Sequence, residues 1–451
     1  MSISGHLRKM ISDLQDSYEK IEEKGGTIPE HKNTNNLPPA IESISGGGGD
    51  YDPTDPAQVY EHTRPSNWLK MPDDANVANN EFYFLLDVAG ARTDNFNTRF
   101  SLSATARYDI EFGTVVDGAF VADPTYALLD RPAGDFSFTT LSIPMSIFHS
   151  IGNTKQVIMR IKTLGNIQSI TLNGFGKQAL NKQTVEIKGK ATEMTYLSIG
   201  TNTAGSSAYS LEYFSLLGSN QITNFSSLFS NCYSLLAVLA LDTRLCTNAS
   251  GMFAACRSLI ATPPLTTTSC TNFSSMFSGC TSLHTVPQLN TTAGTDFSNM
   301  FDGCVSLAVL PKLVTSTGTN FGQMFQNCYS FTSIDLSDYN FSAATSMGSF
   351  LNGSDLDGGG KIYLPSRNKF PSGGILGGSA FKLVEDNSNP IDFIITDDSE
   401  MIPIVNNATN AFGTTSYVLV FVPDSLYDTY QADSKWATLG TRLKKLSELP
   451  A

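Results

Sequence analysis

Apolar and polar residues alternate with three different rhythms along the chain, and each rhythm predicts a different element. Over residues 2–24, apolar side chains recur at Ile3, Leu7, Met10, Leu14 and Ile21, with Ser17 in the intervening position. That 4-3-4 spacing lines one stripe of a helix, the seam of a short coiled coil. A single amphipathic helix packed on its own domain is the alternative. Self-association is preferred because no adjacent segment is suited to cover the stripe. The seam residues do not set the strand number; a homo-oligomer, taken as a trimer, is the expectation. Gly25-Gly26 ends the helix, and residues 46–60, opening with Gly46 to Gly49, read as a linker.

From residue 61 to 165 the rhythm becomes short alternating runs separated by turn residues. Examples are Glu81-Phe82-Tyr83-Phe84-Leu85-Leu86-Asp87-Val88 and Lys155-Gln156-Val157-Ile158-Met159-Arg160-Ile161. A β-sandwich is the simplest arrangement. Residues 166–204 read as a transition between this rhythm and the third.

The third rhythm is a repeat. Cys232, Cys256, Cys280, Cys304 and Cys328 stand 24 residues apart. Phe229, Phe253, Phe277, Phe301 and Phe325 each precede one of them by three, in phrases such as Met276-Phe277-Ser278-Gly279-Cys280-Thr281-Ser282-Leu283. A fixed period of this length predicts a solenoid. Ala208 holds the first Cys position, and Phe350, Gly353 and Leu356 keep the spacing shifted by one residue, so about seven coils span 205–356. Asn224, Asn248, Asn272, Asp296 and Asn320 precede the phrase and are expected to cap a short helix or turn. Phe and Cys should face the core together, with the thiols as small apolar fillers. Cys246 and Cys270 mark a second small slot that Gly294 and Gly318 then fill. A position that glycine can occupy is not a metal ligand or a nucleophile. After each Ser-Leu a strand of three or four residues, ended by Pro263, Pro287 or Pro311, is expected to stack into a parallel sheet. The exposed columns Leu236, Ile260, His284, Ala308, Thr332 and Ala240, Pro264, Gln288, Lys312, Asp335 are neither aromatic-rich nor of one charge. A receptor-binding face is therefore not legible, and a passive spacer is an equal reading.

The repeat fades over 357–451. Val418 to Val422 is a β-run, and Pro423-Asp424-Ser425-Leu426-Tyr427-Asp428-Thr429-Tyr430 starts a helix, so an α/β cap is expected there. Tyr417, Tyr427, Tyr430 and Trp436 suit packing against the last coil better than carbohydrate binding. The fold expected overall is multidomain and mainly β: N-terminal module (1–45), linker, sandwich, solenoid and cap.

Composition narrows the function. The 451 residues carry 42 acidic and 29 basic side chains, a net charge of −13. No basic cluster offers a phosphate-binding face, so a nucleic-acid partner is not expected. No run of about 18 apolar residues suggests a membrane span. The N-terminus lacks the charged-then-apolar order of a secretory signal. The seven cysteines form no CxxC, so neither a zinc site nor a disulfide framework is expected. His6, His31, His62, His149 and His284 are scattered, and no P-loop or GxSxG is present. Asp355-Leu356-Asp357-Gly358 lacks the later ligands of a calcium loop. No cofactor, no metal and no catalysis are expected.

Three segments resemble known families. Lys24 through Ile44, including Thr27-Ile28-Pro29-Glu30-His31-Lys32-Asn33 and Leu37-Pro38-Pro39-Ala40-Ile41-Glu42-Ser43-Ile44, resembles the N-terminal module of phage tail and baseplate proteins. That resemblance implies a structural virion protein assembled with other tail proteins in the host cytoplasm, with a host surface glycan or protein as a further partner. Arg64-Pro65-Ser66-Asn67-Trp68-Leu69, Tyr108 to Thr114 and Lys155-Gln156-Val157-Ile158 resemble a phage sandwich domain related to PKD domains. This chain has Glu111-Phe112-Gly113-Thr114 where that family has a W-G-D-G turn. Residues 205–356 resemble the BspA-like leucine-rich repeats of the MFxxCxxL kind, which implies binding or spacing rather than catalysis. The functional expectation is thus a phage virion protein. A bacterial surface adhesin is the alternative, and a tail-spike depolymerase is a third possibility.

Overall fold

A computed structural model describes residue 52 and residues 54–89, 95–133, 138–172, 184–200, 210–286, 288–331, 333–354, 360–376, 379–383, 391–405, 407–414 and 417–450. The expected coiled-coil positions Ile3, Leu7, Met10, Leu14 and Ile21 lie outside these residues.

Helix α1 (Pro56–Thr63) precedes the sandwich. The sandwich strands are β1 (Glu81–Ala89), β2 (Phe96–Ala104), β3 (Tyr108–Val116), β4 (Ala119–Arg131), β5 (Phe138–Ile143), β6 (His149–Ile151), β7 (Thr154–Thr163), β8 (Ile167–Thr171), β9 (Thr184–Lys190) and β10 (Tyr196–Ser198). One sheet runs β9-β1-β7-β3-β4, with β6 on β7; the other runs β10-β8-β2-β5. Phe82, Phe84, Leu86, Ile110, Phe112 and Met159 from the first sheet and Phe100, Leu102 and Ile170 from the second fill the core. The even positions of β1 face that core. Tyr83 and Leu85 on its other face are covered by Met71 and Val77, so β1 reads as a near-continuous apolar run. Glu111 to Thr114 lie inside β3, not in a turn. Gly113 sits at a register shift, and a Cβ there would meet the Val121 carbonyl oxygen at 2.0 Å.

The first sheet does not stop at the sandwich. β9 pairs in parallel with β11 (Tyr213–Leu217), which pairs in parallel with β12 (Ala237–Ala240). Residues expected as a transition therefore carry β8, β9 and β10, and sandwich and solenoid share one sheet and one buried core.

Within the solenoid the main ladder lies on the turn side of each coil. Asn224, Asn248, Asn272, Asp296, Asn320 and Ser346 are joined in sequence by parallel bridges. Each Asn or Asp Oδ1 accepts the N–H two residues on, as from Ser226 at 3.0 Å and Ser274 at 2.9 Å, so these residues open turns rather than cap helices. The N–H groups then alternate. Those of Phe225, Ser227, Phe229 and Asn231 donate to Asn248, Ser250, Met252 and Ala254 of the next coil, at 2.7–2.9 Å. Those of Leu228, Ser230 and Cys232 donate three residues back within the coil. An α-helix cannot form where every second donor is given to a neighbour. The price of this geometry is two left-handed residues per coil, such as Ser275 and Gly279 or Asn299 and Gly303.

The expected leucine-side sheet is corrected. After the Ala237–Ala261 bridge, no strand is formed among the described residues until β13 (Ile334–Asp335). Pro263 and Pro311 bring no N–H to that side, and the coils hold together through the turn-side ladder instead. Pro287 lies outside the described residues.

The coils continue beyond the repeat. β13, β14 (Gly360–Tyr363), β15 (Ile391–Ile394), β16 (Val418–Val422) and β17 (Leu443–Lys445) form a parallel sheet in chain order. The turn-side ladder continues too: Leu351 N–H donates to Ala380 and Phe381 N–H to Ala411. The C-terminal region is thus further, longer coils, with helices α2 (Ala408–Phe412) and α3 (Tyr427–Ala432) in their turns. The last coil of the repeat is also re-registered. Ser346 pairs with Asn320 across 26 residues, so Leu351 rather than Phe350 takes the Phe position. Ser354 takes the Cys position, and its Oγ accepts the Cys328 N–H at 3.0 Å.

Candidate interaction face of the solenoid

The Phe and Cys columns form the inside of the stack. Phe229, Phe253, Phe277, Phe301 and Phe325 are fully buried and stack with centroids 5.3–5.7 Å apart and ring planes within 10°. Cys256, Cys280 and Cys304 donate their thiols to the carbonyls of Phe229, Phe253 and Phe277 at 3.1 Å. Burial pushes these thiols well above the ordinary range, so they stay protonated and inert.

The strand side is where a ligand has room. Helix α1, in a stretch expected to be mostly linker, lies across its first coils. Its signal was present in the sequence: Asp55 accepts the Ala57 N–H as N-cap, and Pro56 stands at the first helical position. Val59 and Tyr60 pack with Trp68, Tyr213, Leu236, Ala237, Ile260 and Ala261. Polar contacts anchor the same helix. Tyr60 donates its hydroxyl to Glu186 at 2.9 Å, Thr63 bonds the Tyr213 hydroxyl at 2.8 Å, and Arg64 Nε pairs with Glu186 at 2.8 Å. Beside them Glu212 is pushed up to about 7, first by burial and then by the charges of Asp87 and Glu186.

Where α1 begins, Asp52, Thr54, Asp55 and Pro56 form one wall of a cleft of about 650 Å³. Its other wall is the strand side of two coils, Ile260, Ala261, Thr262 and Pro264 on one and Leu283, Thr285, Val286 and Gln288 on the next. The lining is mixed: Ile260, Pro264, Leu283 and Val286 are apolar, and Asp52, Asp55, Thr262, Thr285 and Gln288 bring carboxylate, hydroxyl and amide groups. The Oγ1 of Thr262 is buried there without a hydrogen-bond partner. Two coils on, a second groove of about 630 Å³ is lined by Val309, Lys312, Val314, Asp335, Asp338 and Lys369, among others. Val309 and Val314 are exposed. The first hollow lies where the coils form no strand, and the second reaches from there to β13.

Of the aromatic residues weighed for carbohydrate binding, Tyr430 and Trp436 are fully buried, and Trp436 donates Nε1–H to the Ile402 carbonyl at 3.0 Å. Tyr417 is exposed and Tyr427 half-buried. His62 and His149 are exposed, His284 is half-buried, and His6 and His31 lie outside the described residues. Among the described residues, no group of three or more His, Cys, Asp or Glu side chains is placed to hold a metal ion, and no helix is long and apolar enough to cross a membrane.

Stacked coils with an inert apolar inside and a partly covered strand side define a β-solenoid, and its coils fit the BspA-like repeats that the sequence resembles. A family model described as "Mycoplasma protein of unknown function, DUF285" matches residues 215–310 and 263–357. The matched stretch covers the repeat-bearing coils and stops where the longer C-terminal coils begin. No curated protein matches the chain.

Proposed function

We propose that this chain is a non-enzymatic adhesion protein acting at a cell surface, where the strand side of its solenoid grips a surface glycan or protein. The observation that carries this is the cleft between the start of α1 and the strand side at Thr262, Pro264, Thr285, Val286 and Gln288. Its mixed lining and unpartnered Thr262 hydroxyl suit a ligand with mixed surface, and a helix that is packed along its length and ion-paired at its C-cap Arg64 holds one wall in place. The BspA-like repeat supports binding over chemistry. The sandwich then serves as a rigid base sharing a sheet with the first coils, in keeping with its resemblance to PKD-related structural domains.

A second reading, a phage virion component, rests on two resemblances: the phrase from Lys24 to Ile44, and the sandwich segments at Arg64 to Leu69, Tyr108 to Thr114 and Lys155 to Ile158. The comparison with family models favours the surface reading over it. One experiment separates the two. Full-length protein is tested for binding to intact cells and to an array of surface glycans, beside a Val286→Arg variant that fills the cleft. The surface reading expects saturable binding that the variant loses at unchanged thermal stability. Equal binding by both proteins would remove the cleft from the account. Detection of the chain by immunogold in purified phage particles, and not on cells, would replace this reading by the second one.

A further inference from the structure

The seven cysteines occupy two different settings. In the main column each thiol from Cys256 to Cys328 is committed to a backbone carbonyl of the preceding coil, at 3.1–3.2 Å. Cys246 and Cys270 are set differently. They stand on neighbouring coils, between stacked positions: Thr271 N–H donates to the Thr247 carbonyl at 3.0 Å, and Asn248 bridges Asn272 in parallel. Their backbones are therefore in register at the spacing of paired strands, about 4.8 Å, inside the roughly 4.4–6.8 Å between Cα atoms that a disulfide spans. The Cys270 thiol donates to the Asn272 carbonyl of its own coil at 3.5 Å rather than to the preceding coil, and the two thiols act on each other electrostatically.

Of the four slots at 246, 270, 294 and 318, the surrounding packing admits a side chain only at the first two. The residue three after each slot is Ala249, Phe273, Phe297 and Phe321 in successive coils, and the last three stack at 5.4–5.6 Å. Where the rings of one coil and the previous one both crowd the slot, glycine is required: a Cβ at Gly294 would meet Phe297 at 2.4 Å, and one at Gly318 would meet Phe321 at 2.2 Å. The coil with Ala249 has no ring there, and the two thiols sit beside that gap. Sulfur replaces aromatic volume in one place along the stack, and there it comes as a pair.

We propose that Cys246 and Cys270 are a disulfide-forming pair that ties two neighbouring coils of the solenoid together. The oxidant is a small-molecule disulfide such as oxidised glutathione. The Cys270 thiolate attacks one glutathione sulfur, forming a mixed disulfide and releasing one glutathione thiolate. The Cys246 thiolate then attacks the Cys270 sulfur and releases the second. The protein loses two protons and two electrons, and the two leaving thiolates take up both as reduced glutathione. Both thiols are closed off from solvent in the finished stack, so the exchange belongs to folding, before the coils close. The inference rests on this geometry and not on the surface reading, although an oxidising exterior is where such a bridge persists.

The test refolds the full chain in a glutathione redox buffer, then denatures it, alkylates it with iodoacetamide and weighs it. The oxidised protein should carry two fewer alkyl groups than a dithiothreitol-treated sample, as a monomer on a non-reducing gel. Its melting temperature should exceed that of the reduced form by several degrees. Cys246→Ala and Cys270→Ala should each be fully alkylated and show no redox-dependent melting, while Cys256→Ala should keep both signatures. Full alkylation of the oxidised native chain, a disulfide-linked dimer, or a bridge that survives in Cys246→Ala would overturn the proposal.

Discussion

The coils of residues 215–354 and those of 360–445 make the same ladder from different sequence. In the first region, a 24-residue phrase recurs with Phe and Cys in fixed places. In the second no phrase recurs, and the corresponding residues Leu351, Phe381 and Phe412 are 30 and 31 residues apart. Yet the ring column carries on: Phe350 meets Phe381 edge-on, Phe381 stacks on Phe412 at 5.5 Å, and Phe412 meets Trp436 at 5.7 Å. The turn-side N–H groups keep donating to the next coil as far as Phe381, and Ala408 still donates to Lys435, but α2 keeps the donors of Ala411 and Gly413 within their own coil. Coil shape is therefore set by a shared backbone ladder and by one large apolar residue per coil. The repeat is one way to supply both. Longer turns, closed by α2 or by the buried Tyr430 hydroxyl that accepts the Ile402 N–H at 2.9 Å, are another.

The comparison can be broken most severely at the ring column. Phe277→Ala in the repeat and Trp436→Ala in the C-terminal coils should each cost roughly 3–5 kcal/mol, read as a lower midpoint in guanidinium unfolding. If only Phe277→Ala were costly, the two regions would not be equivalent. Gly318→Ala forces a Cβ into Phe321 and should cost about 1–3 kcal/mol. Ala255 is held at φ +60°, so Ala255→Gly should stabilise by about 1 kcal/mol, a gain with no contact added. The α1 junction serves as a contrast to both coil regions. Glu212 titrates near 7 when folded, above its ordinary range. The folded state thus binds the proton more tightly, and stability falls as pH rises from about 4.5 to about 7. Glu212→Gln should flatten that slope in urea melts taken across the window.

Much of this is legible because each coil repeats its own solution. The buried Phe and Cys columns follow from spacing alone, and the Asn column is recognisable as a capping or turn-opening position. Three things are not legible. The C-terminal coils carry no period to detect. The leucine-side strands look alternating enough to form a sheet, but Pro263 and Pro311 take their donors away, and the turn-side ladder, which is invisible to a hydrophobic pattern, holds the coils instead. The cleft depends on α1, whose Asp55-Pro56 start is readable, while its docking on β12 needs the fold. The candidate ligand site is thus hidden although both its walls are ordinary sequence.

The continuous stack is tested most directly by hydrogen exchange followed by mass spectrometry across a denaturant series. Peptides from 224–354 and from 360–445 should lose protection together, at one denaturant concentration. Peptides from 360–445 exchanging freely while 224–354 remains protected would show that the longer coils are a separate body, and the shared ladder would be wrong.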